Sequence, residues 1–341
     1  MAYQTGTASS PIDLVQKMVT WLVSIGWTQD MSASDAPGWR AHLHKGAIYV
    51  HLYAAMYQQP WAGSGNTGHA IFLYLSSAFD GGQPWNAQPG NPPLGNGTTH
   101  AVGVGMPLET AGAIQNYYFF SDAAGDNIVL VVERTPGLYV YLGWGASLLK
   151  VGTWTGGQYF FGSMDGAMTC YLEGYGYPVI PSAGIQTTSS CPGALDYLGA
   201  DCFFVRCDVD SFTGKWLGLS NNTNVDWGYT GKFCMCSVAP SGNATLEYSI
   251  AAYTSSGGPA PPFGTNTWDF QNVQTSSADG RANLLPPLIW AQRDIGEYSL
   301  IGSIPNVFAS NGVGSGFSNA SEYVIGTTTY KMFPYFAVIK Q

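Results

Sequence analysis

The last twenty residues of the chain, EYVIGTTTYKMFPYFAVIKQ (residues 322–341), indicate the kind of fold that this sequence forms. Two runs rich in β-branched and aromatic residues, 322–325 and 330–333, flank a loop that begins with Gly326, and this pattern predicts a β-hairpin. Pro334 ends the second run, and an apolar segment then reaches Ile339. Apolar terminal segments are generally tied into a sheet, so the C-terminus is predicted to be structural rather than a loose tail.

The composition of the whole chain predicts a turn-rich β protein. The 341 residues include 44 glycines and 14% aromatic residues, but only 10% charged residues, against a usual charged fraction of ~25%. The high aromatic content argues against disorder. A polar but charge-poor surface favours burial against neighbouring subunits, because few charges lose their hydration at the contact. A surface that faces glycans is the alternative.

Charge and hydropathy argue against two classes of partner. The net charge is −9, and the 12 basic residues form no cluster, which disfavours binding to nucleic acid. No stretch approaches the ~18 apolar residues of a membrane span, and residues 1–10 lack the basic start of a signal peptide. We therefore expect no nucleic acid, no membrane span and folding in a cytoplasm, where four Asn-X-Ser/Thr sequons would be chance matches. The sequons begin at Asn96, Asn221, Asn243 and Asn319.

Local signals place one helix and several strands along the chain. Ser10, Pro11 and Asp13 have the cap, first-position and third-position chemistry of a helix start, and Gly26 ends the apolar stripe that follows. Strand patterns around a turn predict hairpins from 39–44 with 47–52 and from 116–120 with 127–133. Residues 79–97 form a long Gly/Pro/Asn-rich loop, which suggests a binding or subunit-contact loop.

The length and a shift in composition predict two domains. The chain exceeds the roughly 250–300 residues at which single cores tend to split. Near residues 175–191 the sequence becomes rich in Gly, Pro, Ser and Thr; all five histidines precede this segment. We predict a mainly β protein with one N-terminal α-helix, in two β-rich domains of antiparallel sheets of the sandwich type, residues 1–170 and 171–341.

Both ends of the chain resemble a group of tailed-bacteriophage virion proteins that are structural and tail-associated. The matching C-terminal residues are LP at 285–286, GSIPNV at 302–307, IG at 325–326 and YKMFP at 330–334. At the other end they are YQTGTASS at 3–10, the helix after it, and GWT at 26–28. The resemblance covers these two ends and not the middle. It implies a virion part made in the host cytoplasm, and it leaves the position within the particle open.

The chain therefore reads as a non-enzymatic structural component of a tailed-phage virion that works in several copies. Its expected place is the tail, at the tip, the baseplate or the attachment of fibres, and its expected partners are other virion proteins and copies of itself as a homo-oligomer. Two alternatives remain: a carbohydrate- or receptor-binding module at the tail tip that contacts a host-surface glycan, and a decoration protein of the neck or capsid.

Three histidines are the best candidates for a metal site. His42 and His44 are two residues apart on a predicted strand and so point to the same face, and His51 lies on the partner strand of the hairpin. No carboxylate or cysteine accompanies them in the sequence. A structural or solvent-facing role is therefore favoured, and a metal role is the alternative.

The cysteines do not have regular zinc spacing. Four cysteines lie in apolar, strand-like runs: Cys202, Cys207, Cys234 and Cys236. They are interpreted as buried free thiols. Disulfides formed after release from the cell, or a zinc site, are the alternatives. Cys170 and Cys191, in turn-rich sequence, are the best remaining pair.

Other motifs match known sites by letter only. Residues 63–68 read GxGxxG but open a strand instead of a helix, so no dinucleotide site is expected. Asp208, Asp210 and Gly214 lack the Glu that closes a calcium loop and indicate a turn. No GxSxG, HExxH or phosphate-loop motif occurs, so we expect no catalytic residue, no cofactor and no bound metal.

Tryptophans in Gly/Asn-rich loops are candidate contacts to glycans or partners, since an exposed indole ring stacks well on an apolar surface. A place in the core is the more usual role of an aromatic residue and is favoured for each. They are Trp61, Trp85, Trp154 and Trp227.

Overall fold

The structure is a computed structural model of the 341-residue chain. It describes residues 1–36, 38–55, 69–92, 104–108, 113–146, 157–162, 203–207, 216–218, 233–240, 246–252, 284–285, 287–292, 298–303, 305–310, 320–333 and 336–340. These residues contain one α-helix and 21 β-strands. The predicted fold class, mainly β with one N-terminal helix, is confirmed.

The elements have the following bounds. The helix α1 is Pro11–Ser24. The strands are β1 Ala2–Ala8, β2 Thr28–Asp35, β3 Gly38–Lys45, β4 Ile48–Ala55, β5 His69–Ser76, β6 Val104–Leu108, β7 Ile114–Ser121, β8 Ile128–Thr135, β9 Leu138–Gly145, β10 Gly157–Gly162, β11 Phe203–Cys207, β12 Trp216–Gly218, β13 Phe233–Pro240, β14 Leu246–Ala252, β15 Leu284–Leu285, β16 Pro287–Gln292, β17 Tyr298–Ser303, β18 Val307–Ser310, β19 Glu322–Ile325, β20 Thr328–Phe333 and β21 Phe336–Ile339.

The described strands form four antiparallel sheets. The central sheet has seven strands in the order β1-β7-β8-β9-β10-β11-β12, and the N-terminal sheet has five in the order β2-β3-β4-β5-β6. The C-terminal sheet has the order β15-β18-β21-β20-β19, and a four-stranded sheet has the order β14-β13-β16-β17. The division into domains 1–170 and 171–341 stays a prediction. The structure pairs β11, from beyond that boundary, with β10 in the central sheet.

The helix begins and ends where the sequence predicts. The Ser10 side chain accepts a hydrogen bond from the Asp13 backbone N–H at 3.1 Å, and Pro11 occupies the first turn, where a missing N–H costs nothing. Asp13 in turn accepts from the Ser9 N–H at 2.7 Å and pairs with Lys17 at 2.8 Å. Gly26 follows the C-cap with a φ of 96°, a conformation that glycine adopts without strain.

The predicted hairpins are also present. β3 pairs with β4 around Gly46, which has a φ of 57°, and β7 pairs with β8. At the C-terminus β19 pairs with β20 around Gly326, and β21 pairs with β20, so the last strand lies within a sheet. The prediction of a structural C-terminus is confirmed.

One face of the central sheet packs on the N-terminal sheet and on α1. Tyr117 and Phe119 of β7 belong to this core, where the Trp21 ring of the helix lies 5.4 Å from the Phe119 ring. Trp27, directly after the helix, meets Trp144 of β9 edge-on at 6.0 Å. The helix therefore fills the space between two sheets with the apolar stripe that its sequence carries.

The second face of the central sheet is buried as well. Tyr118 and Phe120, which alternate with the core residues of β7, are 8% and 1% exposed. Phe333 of the C-terminal sheet packs on them, with ring centroids 5.5 Å from Tyr118, 6.2 Å from Phe120 and 5.1 Å from Tyr139. Burial on both faces explains why β7 and β8 carry continuous apolar runs where a half-exposed strand would alternate.

Phe333→Ala is expected to lower the free energy of unfolding by about 3–5 kcal/mol, because it empties a site between two sheets. The Phe333 side chain is 0% exposed. Urea denaturation followed by tryptophan fluorescence measures the change. Val324→Ala is the matched control on the same sheet: Val324 is 60% exposed, and a change within about 0.5 kcal/mol is expected. A loss below about 1 kcal/mol for Phe333→Ala would show that this contact does not hold the C-terminal sheet in place.

Candidate functional site

The strongest concentration of polar, titratable side chains among the described residues lies on the N-terminal sheet, on the face that points away from α1. Ala41 and Leu43 of β3 belong to the core, and His42 and His44 lie on the opposite face of that strand because successive residues alternate. The register places His42 directly opposite His51 of β4. We call this surface the histidine face, formed by His42, His44, His51, Tyr53, Tyr74 and Ser76.

Hydrogen bonds connect three residues of the histidine face in a chain. Nδ1 of His42 lies 2.8 Å from Nδ1 of His51, and Nε2 of His51 lies 2.6 Å from Oγ of Ser76. The Ser76 hydroxyl donates to the backbone oxygen of Ala78 at 2.6 Å. Because this uses the only hydroxyl proton, Ser76 accepts from His51 Nε2–H. His51 Nδ1 is then unprotonated and accepts from His42 Nδ1–H.

His42 and His51, the two histidines that these hydrogen bonds connect, are both neutral at neutral pH. His42 is 1% exposed, and His51 and Ser76 are 0% exposed. Burial lowers the pKa of His42 to about 4, and the nearby Arg40 guanidinium adds to the effect. Burial, together with the adjacent His42, lowers the pKa of His51 well below its ordinary value. Neutral imidazoles are what the tautomer assignment requires, since a charged His51 would have no nitrogen that accepts a proton.

Residues 77–92, which we call the covering loop, shield His42, His51, Tyr74 and Ser76 of the histidine face from solvent, whereas the His44 side chain remains 29% exposed. The Phe79 ring lies 4.9 Å from the His42 ring, and the Trp85 ring lies 5.2 Å from each of the Tyr53 and Tyr74 rings. Trp85 is 3% exposed. Tyr53, Tyr74 and Trp85 thus extend the hydrophobic core beneath the loop.

The covering loop is ordered by its own hydrogen bonds. Gln88 is 0% exposed; its Oε1 accepts from the Asp80 backbone N–H at 2.8 Å, and its Nε2 donates to the Pro84 oxygen at 3.1 Å. The ends of the loop meet where the Ser77 N–H donates to the Pro89 oxygen at 3.0 Å. The Tyr74 hydroxyl donates to the backbone oxygen of Trp85 and so ties the loop to β5. A compact surface loop with joined ends has this organisation.

The chain from Ser76 through His51 to His42 has the order of a nucleophile, a base and a group that orients the base. A nucleophile must reach its substrate, however, and Ser76 is fully buried and donates its proton to Ala78. In this arrangement the three residues satisfy one another and hold β3, β4 and β5 to the covering loop. The absence of enzyme activity stays a prediction.

His44 has a different environment from the other two histidines. Its Nδ1 lies 2.8 Å and 2.9 Å from the two carboxylate oxygens of Asp30, and its ring stacks on Tyr49 at 5.2 Å. The partner of His42 is His51 instead, so the structure does not bring His42 and His44 to one shared ligand position. Within the described ranges, no group of three or more His, Cys, Asp or Glu side chains is arranged to hold a metal ion.

Trp85 is 3% exposed and lies in the core, so the structure supports the core role for this residue and not the candidate role as a glycan or partner contact. Tyr53 and Tyr74 offer an apolar surface on the sheet, and the covering loop folds back to bury the indole ring against them. The other candidate contacts, Trp61, Trp154 and Trp227, lie outside the described residues. Residues 79–97 were predicted to be a binding or subunit-contact loop. The structure describes residues 79–92 of this loop and shows them held against the N-terminal sheet, and the contact itself stays a prediction.

Several other predictions fall outside the described residues: the motif at 63–68, the turn at 208–214, and Cys170, Cys191 and Cys202. Cys207 lies in β11, and Cys234 and Cys236 lie in β13, as their strand-like sequences predict. Ser76 was missed by the sequence reasoning, because only the pairing of β4 with β5 brings it next to His51.

Comparison with models of known protein families gives no match, and comparison with curated proteins gives none either. The one helix in the described part of the chain is too short to cross a membrane.

Acidification between pH 6.5 and 4.5 is expected to destabilise the fold. The folded-state pKa of His42, about 4, lies below its ordinary value of 6.5, so the unfolded chain binds more protons in this window and stability falls as pH falls. The loss in the free energy of unfolding that His42 causes is about 3 kcal/mol and is reached near pH 4. Protonation of His51 lowers the stability in the same direction. Urea denaturation at a series of pH values measures it.

The control for this pH series is the double variant His42→Leu/His51→Leu, whose profile between pH 6.5 and 4.5 is expected to be flatter. The pKa values of the Asp13 and Glu322 carboxyl groups are lowered by Lys17 and Lys340, respectively. The stability that these two carboxylates contribute is therefore lost mainly at a pH below this window. Equal slopes for the two proteins would contradict the assignment to the histidine face.

Ser76→Ala is expected to lower the free energy of unfolding by about 1–3 kcal/mol, because the buried His51 Nε2–H loses its acceptor. Ser77→Ala is the matched control. Ser77 is the next residue and is exposed, and its hydroxyl also donates to a backbone oxygen, that of Pro89. Thermal or urea denaturation is expected to show a change within about 0.5 kcal/mol for Ser77→Ala. Equal effects of the two substitutions would show that the hydrogen-bonded chain contributes no stability.

Proposed function

We propose that this protein is a structural component of a tailed-phage virion, present in several copies in the tail, at the tip, the baseplate or the attachment of fibres. The virion assignment rests on the resemblance of both ends of the chain to phage virion proteins, and the burial of His42, His51 and Ser76 supports a structural role. The described residues best equipped for chemistry, His42, His51 and Ser76, are buried and satisfy one another. They serve the stability of the fold, which suits a protein that is built into an assembly.

The ends of the chain give further support. The segments that resemble phage virion proteins, residues 3–10 and 330–334, each contribute a ring that packs on Phe120 of the central sheet: Tyr3 at 5.2 Å and Phe333 at 6.2 Å. Lys340 Nζ, six residues beyond the second segment, sits 4.8 Å from the centre of the Tyr3 ring and 2.8 Å from the Glu322 carboxylate. One residue of each of these two segments therefore takes part in the packing of the C-terminal sheet on the central sheet.

The surface chemistry supports assembly with other virion proteins and with copies of the same chain. Charged residues make up 10% of the sequence, so burial of a surface patch removes few charges from water. Val324 and Ile325, at the turn of the β19–β20 hairpin, are 60% and 45% exposed.

The proposal is tested by locating the chain in intact particles. An antibody against the purified protein, visualised by electron microscopy on particles of the phage that encodes it, is expected to label the tail, and image reconstruction is expected to show several symmetric copies there. Labelling confined to the head or neck would favour a decoration protein instead. A chain missing from purified particles would overturn the proposal.

A glycan array separates the remaining alternative, a receptor-binding module at the tail tip. The structural proposal expects no glycan binding by the isolated chain. Binding that is lost on substitution of Trp61, Trp154 or Trp227, and that is retained in a Trp85→Phe control, would favour the receptor module.

A further inference from the structure

Strand β1 is the edge of the central sheet. It pairs with β7 on one side, and no described strand pairs with its other side. The strand has the sequence AYQTGTA. Its Thr5 and Thr7 side chains are exposed.

The register determines which backbone groups of β1 point outward. The Asp122 N–H donates to the Asn127 oxygen at 3.2 Å, so in the β7–β8 ladder Phe120 and Tyr118 also direct their backbone groups to β8. Phe119 and Ser121 must then direct theirs to β1, where they face Gln4 and Ala2. The intervening residues of β1 therefore point their N–H and C=O groups away from the sheet. These residues are Tyr3 and Thr5.

This edge lacks three of the devices by which sheet edges are usually protected: charged side chains on the strand, proline and very short length. It has a bulge, between Gly6 and Ala8, which lies beyond Tyr3 and Thr5. β1 has seven residues, none of them charged and none a proline. The edge strand β2 contrasts with it, because it carries Asp30 and Asp35. The edge strand β19 has only four residues and contains Glu322.

We propose that β1 is a self-association site, at which the β1 strands of two copies pair antiparallel about a two-fold axis at Gln4. Tyr3 of one copy then exchanges backbone hydrogen bonds with Thr5 of the other, and two central sheets become one continuous sheet. The inference rests on the proposed function in so far as it names a contact for assembly, but it does not depend on the place of the protein in a virion.

A second copy fits this edge for two reasons. Antiparallel pairing of a strand with itself places like residues near each other, and β1 has no charge to repel its own copy. The axis at Gln4 also leaves in place the contact at Thr7, whose oxygen already accepts from Lys17 Nζ at 2.9 Å. An axis at Thr5 would instead pair Tyr3 with Thr7 and displace that contact.

The first test is Thr5→Pro with Thr5→Ala as its matched control. Both remove the hydroxyl that donates to the Tyr117 oxygen at 2.8 Å, but only proline removes the outward N–H, and an edge strand tolerates proline where its N–H faces solvent. Light scattering coupled to size exclusion is expected to show self-association of the unmodified chain and of Thr5→Ala. Thr5→Pro is expected to weaken it by at least about tenfold. Circular dichroism and urea denaturation check that Thr5→Pro is folded.

The second test addresses the axis. Gln4→Lys and Gln4→Glu each place like charges directly opposite at the proposed two-fold axis, so each alone is expected to associate at least about tenfold more weakly than Gln4→Ala at low salt. An equimolar mixture of the two is expected to recover association as a mixed pair. Recovery on mixing is an outcome that a misfolded variant does not produce.

The proposal is overturned if the unmodified chain stays monomeric up to about 100 μM, if folded Thr5→Pro associates as the unmodified chain does, or if the charged Gln4 variants associate like Gln4→Ala. The second and third results would leave assembly through another surface intact, whereas the proposed function fails only if the chain is missing from the particle. The two failures are therefore distinguishable.

Discussion

The need to cover both faces of the central sheet constrains the whole molecule. Its middle strands carry large apolar and aromatic side chains on either side, and exposure of either face would cost several kcal/mol for each ring. The N-terminal sheet and α1 cover one face, and Phe333 of the C-terminal sheet packs on the other. Segments far apart in the sequence are thereby held together, and Lys340 rests on the Tyr3 ring of β1.

The histidine face repeats this principle on a smaller scale, with polar groups inside. Two imidazoles and a hydroxyl are removed from water, and burial of this kind is tolerated only when each donor has an acceptor. His42, His51 and Ser76 meet that condition when both rings are neutral. The covering loop supplies the final acceptor, the Ala78 oxygen, and seals the face with Phe79 and Trp85. The same groups that resemble a catalytic arrangement in their order thus act as a cross-link between three strands.

Among the residues that the structure describes, both faces of the central sheet are covered internally. The edge strand β1, which carries no charged residue, and the exposed tip of the β19–β20 hairpin are available for contacts with other proteins. Backbone pairing at an edge needs no charge and no metal, which is consistent with the composition of the chain.

Local chemistry in the sequence determined the β class, the bounds of the helix and the hairpins. Ser10, Pro11 and Gly26 act within one turn of their own position, and Gly46 and Gly326 act at the turns that they form. Local chemistry also placed His51 on the strand beside His42. Only the tertiary structure decided that Ser76 accepts the hydrogen bond of His51, because this depends on the pairing of β4 with β5. It also decided that Trp85 is buried, because this depends on where the covering loop folds. Those outcomes follow from contacts between distant segments, which no local pattern encodes.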